Sequence, residues 1–253
     1  MRNYLTIDGV DSRDFNLYIS GQGTFKAPAR IYDVVSIPGR NGDLIISDNK
    51  YENIEVTYPA FIFSDFDNKI ADLRSFLLSR NGYFRLEDTY HPGEYRQAYY
   101  QGPFEPDVES NNKVGSFDLV FNCKPQRWLL SGDTKLTANT GEMLPLVNPT
   151  RFPAWPTFYV YGAGTFSYYW LDSGGVLRGA DFTIADSITG GLPTIIDTET
   201  MFIYGYNLLG KILNRSSAVT ISGDVPSIPG SGSGKIDYVT ATKVEVYPRW
   251  WTL

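Results

Sequence analysis

Thr157-Phe158-Tyr159-Val160-Tyr161-Gly162-Ala163-Gly164-Thr165-Phe166-Ser167-Tyr168-Tyr169-Trp170-Leu171-Asp172-Ser173-Gly174-Gly175 is the stretch that decides the fold class. Two runs of aromatic and β-branched residues are separated by Gly-Ala-Gly and closed by an Asp-Ser-Gly-Gly turn cluster. Such residues suit a pleated, half-buried surface, and glycines supply the tight turn between strands. The same grammar recurs downstream. Asp181 to Ile184, Thr194 to Asp197, Met201 to Tyr206, Ala218 to Ser222 and Lys243 to Tyr247 read as further short strands at the spacing of a two-sheet sandwich. The whole chain agrees: 253 residues, 15% aromatic, with 24 Gly and 15 Pro. The expectation is a mainly β protein.

Working toward the N-terminus, Thr137 to Pro156 contains Asn139-Thr140-Gly141, Pro145, Asn148-Pro149, Pro153 and Pro156. Proline cannot donate to a ladder and biases its predecessor to extended backbone, so this run reads as a stiff connector. Charge thins across it: 14 basic and 18 acidic residues up to position 130, then 8 and 10. Two domains are expected, 1–137 and 138–253. In the first, Phe66, Ile70, Leu73 and Leu77 share one helical face, which predicts a helix over Asp65 to Ser79. Ser64 with Asp67 resembles a capping box, and Asn81-Gly82 a left-handed stop. Asp33 to Ile37 and Asp43 to Ser47 flank Pro38-Gly39-Arg40-Asn41-Gly42, a hairpin signal because Asn and Gly tolerate positive φ. Asn53 to Phe63, Tyr83 to Leu86, Tyr95 to Tyr100 and Ser116 to Asn122 read as strands. Pro226 to Gly234 reads as a flexible surface loop.

Composition excludes several chemistries. One Cys, Cys123, permits no intrachain disulfide, and one His permits no multi-histidine metal centre. Cys123 reads as a small buried hydrophobe, compatible with assembly in a reducing cytoplasm. A net charge of −6 argues against a phosphate-gripping surface. No apolar run is long enough to span a membrane, and Met1 to Leu5 lacks the apolar core of a signal peptide. Asp88, His91 and Glu94 have a spacing that would ligate a metal on a helix, but Pro92-Gly93 breaks any helix there. The plainer reading pairs Asp88 and Glu94 with Arg85 or Arg96. No nucleophile elbow accompanies the single His, so no catalytic residue, cofactor or metal is assigned and no enzyme is expected. Tyr168-Tyr169-Trp170 and Trp250-Trp251 offer rings for sugar stacking. Adjacent Trp250 and Trp251 would point to opposite strand faces, one toward the core and one outward.

Asp8-Gly9-Val10-Asp11-Ser12, Pro38-Gly39-Arg40-Asn41-Gly42-Asp43-Leu44, the stretch Gly82 to Pro92, Phe121-Asn122-Cys123-Lys124-Pro125-Gln126-Arg127-Trp128 and the ending Pro248 to Leu253 together span nearly the whole chain. In order and spacing they resemble the distal tail protein (Dit) family of siphophages infecting Gram-positive bacteria. The resemblance implies an N-terminal β-sandwich with one α-helix and a belt hairpin, and a C-terminal galectin-like β-sandwich. It implies a structural protein of the virion: a homo-hexameric ring, single or stacked, joining the tail tube to the baseplate or tail tip, with a channel through which DNA passes unbound. Its partners would be the tail tube protein, a tail-associated lysin or tip protein, the tape measure and receptor-binding proteins, with assembly in the host cytoplasm. The expected subunit-interface hairpin comprises Val35, Pro38, Gly39, Arg40, Asn41, Gly42, Asp43 and Ile46. The alternative reading is a host-glycan-binding module of the same apparatus.

Overall fold

The computed structural model describes residues 2–21, 25–109, 113–172 and 174–253. The chain divides into two compact units, Met1–Arg127 with Leu253, and Trp128–Thr252. Both are β structures, and the one α-helix among the described residues lies in the first.

The first unit contains β1 (Leu5–Ile7), β2 (Val10–Asp11), β3 (Leu17–Ile19), β4 (Asp33–Ser36), β5 (Asp43–Ile46), β6 (Ile54–Ile62), α1 (Phe66–Leu78), β7 (Phe84–Asp88), β8 (Glu94–Tyr100), β9 (Asp107–Glu109) and β10 (Val114–Leu129), the last running on into the second. One antiparallel sheet follows the order β2-β1-β7-β8-β10-β6-β3, with β9 alongside β10. It curls upon itself, because Ile19 at the β3 edge donates its N–H to the Asn3 carbonyl just before β1, at 2.9 Å. Strict alternation drives this. Ile54, Val56, Tyr58, Ala60 and Ile62 of β6 face inward, and Phe117, Leu119, Phe121 and Cys123 of β10 do the same across the ladder. The helix lays Phe66, Leu73 and Leu77 on this core. Truncating a residue buried like Leu73 to Ala typically costs about 2–5 kcal/mol. The expected capping box does not form. Asp65 is the N-cap, in left-handed backbone and without a side-chain cap bond. Ser64 is instead turned toward Asn16, whose amide donates to the Ser64 carbonyl at 3.2 Å. The helix ends at Ser79, in right-handed backbone, so Asn81-Gly82 shapes the following turn rather than the cap itself.

The second unit contains β11 (Leu136–Asn139), β12 (Leu144–Val147), β13 (Thr157–Tyr161), β14 (Gly164–Leu171), β15 (Leu177–Ile184), β16 (Thr194–Asp197), β17 (Phe202–Tyr206), β18 (Ile212–Asn214), β19 (Val219–Gly223), β20 (Ser233–Asp237) and β21 (Lys243–Tyr247). One sheet runs β11-β21-β13-β16-β17-β18 and the other β12-β20-β14-β15-β19. Phe158, Phe166, Tyr168, Trp170 and Phe182 fill the space they enclose. Phe166 and Phe182 are cross-strand partners with rings stacked at 4.4 Å, the pairing that stabilises an antiparallel face.

Two sequence expectations change here. The proline-rich connector carries strand: β12 lies inside it, β11 overlaps its start, and the expected 137/138 division falls within β11. The Pro226 to Gly234 stretch is not a free loop. Ile228 is fully buried and bridges Ala154, and Gly230 packs so closely on the Arg151 carbonyl that a Cβ would lie 2.1 Å from it. The buried Asn148 amide binds the carbonyls of Phe152, Ile228 and Pro229, tying both proline-rich segments together. Side-chain satisfaction of loop carbonyls orders backbone that composition alone marks as flexible.

Candidate assembly surface

β4 and β5 form a two-stranded sheet of their own, registered Asp33↔Ile46, Val34↔Ile45, Val35↔Leu44 and Ser36↔Asp43. Every residue of both strands is exposed. Alternation places Val35, Leu44 and Ile46 on one face and Val34 with Ile45 on the other. Val34 is 60% and Ile45 61% exposed, so neither face is covered by the unit that carries it. The turn between the strands uses Gly39 and Gly42, at φ +79° and +83°, where a Cβ would be strained. The Arg40 N–H closes the turn on the Ile37 carbonyl at 3.2 Å.

The root is held by backbone bonds, Ile31 N–H to the Lys50 carbonyl and Glu52 N–H to the Ala29 carbonyl, at 3.0 and 2.9 Å. Arg30 donates to the Tyr51 hydroxyl at 2.6 Å. Of the residues named from sequence, Val35, Asp43 and Ile46 lie on the strands and Pro38 to Gly42 make the turn, all exposed. Val34 lies outside the expected arm of Val35 to Ile46, yet with Ile45 it forms the more exposed face. Their signal was legible: apolar residues in succession, Val34-Val35 and Leu44-Ile45-Ile46, where a one-sided strand would alternate.

The other candidate groups are placed elsewhere. Asp88 pairs with His91 and accepts from the Tyr58 hydroxyl, Glu94 pairs with Arg127 at 3.3 Å, and Arg85 pairs with Glu87 at 2.7 Å. The expected Asp88 and Glu94 pairs with Arg85 or Arg96 are therefore replaced by these. Among the described residues no group of three or more His, Cys, Asp or Glu could hold a metal ion. Tyr168 and Trp170 are core residues. Trp250 and Trp251 are both buried, because Trp251 stacks on Phe152 at 4.5 Å and donates its indole N–H to the Pro153 carbonyl. The expected outward tryptophan is absent from this pair. A groove of about 1030 Å³ beside Arg151, Trp170, Asp172 and Gly230 presents almost none of the Trp170 ring, which is 4% exposed. A stacked sugar has no flat face there.

Comparison with known proteins gives this geometry a setting. Residues 10–123 match the family model of the phage tail protein RIFT-related domain. The crystal structure of SPP1 Dit, described as a paradigm of the hub adsorption apparatus in phages infecting Gram-positive bacteria, is 16% identical. It superposes with a TM-score of 0.70 and 100% of each chain covered. The phage p2 baseplate in its activated conformation with strontium contains a chain 10% identical, with a TM-score of 0.56 and 96% of each chain covered. No curated protein matches. The chain has the fold of SPP1 Dit along its whole length.

Proposed function

We propose that the chain is the hub subunit of a siphophage tail: a non-enzymatic protein whose copies, six to a ring, join the distal end of the tail tube to the baseplate or tail tip. The observation that carries this reading is the β4–β5 hairpin, apolar on both faces and covered on neither. A single exposed apolar residue is ordinary, but a contiguous two-sided patch marks an interaction site. Laid on the next copy, the hairpin would bury those faces and offer its free strand edges for pairing. The contact is heterologous, and such contacts close into a ring when the rotation between copies allows it. Val35, Pro38, Gly39, Arg40, Asn41, Gly42, Asp43 and Ile46 are the proposed interface residues, with Leu44 and Ile45 between them and Val34 added from the structure.

The ring would enclose the channel through which DNA leaves the particle. An acidic chain, at −6, suits a conduit that should not retain phosphate. The tail tube protein, a tail-associated lysin or tip protein, the tape measure and receptor-binding proteins are its proposed neighbours in the virion, with assembly in the host cytoplasm. The test is light-scattering mass after size exclusion, with negative-stain images of the peak. Six-fold rings, single or stacked, support the reading. Rings that persist unchanged after deletion of residues 39–43 would refute the hairpin as the contact.

A further inference from the structure

The chain's single histidine belongs to a half-buried polar cluster that the assembly surface does not use. Asp88, at the end of β7, receives the backbone N–H groups of Tyr90 and His91 on Oδ1, each at 2.9 Å. His91 Nδ1 lies 2.9 Å from the same oxygen, and the Tyr58 hydroxyl donates to Oδ2 at 2.7 Å. A carboxylate already taking these donors acts as an acceptor, so Nδ1 carries the proton. With its one proton on Nδ1, a neutral imidazole presents a lone pair at Nε2. That atom is buried and has no hydrogen-bond partner among the described residues.

Arg96 on β8 presents the opposite deficit. It is 5% exposed, and its Nη1 and Nη2 are buried without a partner among the described residues. Burial, and then the neighbouring Arg127 charge, hold its pKa below the usual arginine value. His91 and Arg96 line one cavity of about 10 Å³, walled also by Asp88, Glu94 and Arg127. A buried guanidinium N–H and a buried imidazole lone pair, each without a partner, forfeit the hydrogen bonds they would make in water. The site is therefore built for something that accepts from one and donates to the other.

We propose that one structural water molecule occupies this cavity, accepting from an Arg96 Nη and donating to His91 Nε2. Volume and charge select water over an anion. A single water needs about 10–15 Å³ and two to four polar partners. Arg127 is paired with Glu94, the Asp88 charge acts on Arg96, and a lone pair at Nε2 would repel an anion. The water fixes the ring on which Phe25 packs edge-on, with centroids at 5.2 Å. The adjacent Tyr90 hydroxyl donates to the Gly21 carbonyl at 3.1 Å. Gly21 follows β3 and Phe25 precedes β4 in the chain.

Because His91 is the only histidine, the full chain labelled with [15N]histidine yields two ring-nitrogen resonances. Magic-angle-spinning spectra read them at about pH 7 whatever the assembly size. The expected result is a protonated Nδ1, an unprotonated Nε2, and polarisation transfer from water protons to Nε2. A protonated Nε2, or no transfer from water, overturns the proposal. A crystal grown in sodium bromide supplies the second reading. A density peak about 3 Å from both Arg96 Nη and His91 Nε2, without anomalous signal, supports a water. An empty cavity, Arg96 turned onto Glu94, or an anomalous bromide peak at the site overturns it.

Discussion

Replacing Val34 and Ile45 together by Ser tests the assembly surface with little effect on the subunit. The two are cross-strand partners, 60% and 61% exposed, so the subunit's own core does not depend on them. Fully burying a Val or Ile side chain stabilises by about 1.5–3 kcal/mol, so covering the three-fifths still exposed contributes about 1–2 kcal/mol each. The pair then supplies about 2–4 kcal/mol per contact, which at about 1.4 kcal/mol per decade weakens association roughly 30- to 700-fold. Sedimentation velocity over a concentration series reads that shift. Thermal unfolding of the dissociated subunit should move by no more than surface substitutions usually do, within about 0.5 kcal/mol. Association equal to that of the original chain would refute the reasoning. So would a subunit destabilised by several kcal/mol, because it would mean that the faces are covered from within.

Three further outcomes are expected. Gly230→Ala should lower stability by about 1–3 kcal/mol, measured by denaturant unfolding, because its Cβ would meet the Arg151 carbonyl carbon and oxygen; a free glycine loop would show no change. The Cys123 thiol, pushed up to about 11 by burial, should resist a thiol reagent in the folded chain and react fully in denaturant. Burial would raise the Glu245 carboxyl, but hydrogen bonds from Lys243, Lys135 and Tyr161 outweigh it and hold the group below the ordinary glutamate value. Its folded pKa is depressed, so its stabilisation is present above the unfolded value of about 4.3 and is lost as pH falls through the folded one. Glu245→Gln should therefore flatten the loss of melting temperature between about pH 5 and about pH 3; an unchanged slope would show that other carboxylates carry it.

How much of this was legible depended on whether a residue's role was set locally. The period of Phe66, Ile70, Leu73 and Leu77 located α1, and Asn41-Gly42 located the hairpin turn, because helix faces and tight turns are written within a few residues. β12 and β20 were missed. Pro145 sits inside β12, and Gly234 inside β20 lies so close to the Tyr168 hydroxyl that a Cβ would be 2.2 Å away. Such residues weaken the strand signal where only the partner strand explains them. The cap at Ser64 failed for the same kind of reason: Asn16, far away in sequence, took the group that the local pattern had assigned to the helix. Trp250-Trp251 misled because alternation assumes a regular strand. Arg249 immediately before them has positive φ, which breaks the period and lets both rings be buried.

The β4–β5 hairpin is the point at which sequence and fold argue for something outside the chain. An isolated two-stranded ribbon is marginal in water, since half its apolar surface and both its edges stay wet. Here the root bonds at Ile31 and Glu52 and the glycines of the turn fix its register, yet nothing in the first unit's core is spent on it. The residues that would cost least to make polar, Val34 and Ile45, are apolar, although an exposed edge is ordinarily blunted by charge or proline. The strands keep one carboxylate at each end, Asp33 and Asp43, and leave the faces between them hydrophobic. That pattern gives the isolated subunit nothing, and it acquires a physical reason once a second copy covers it.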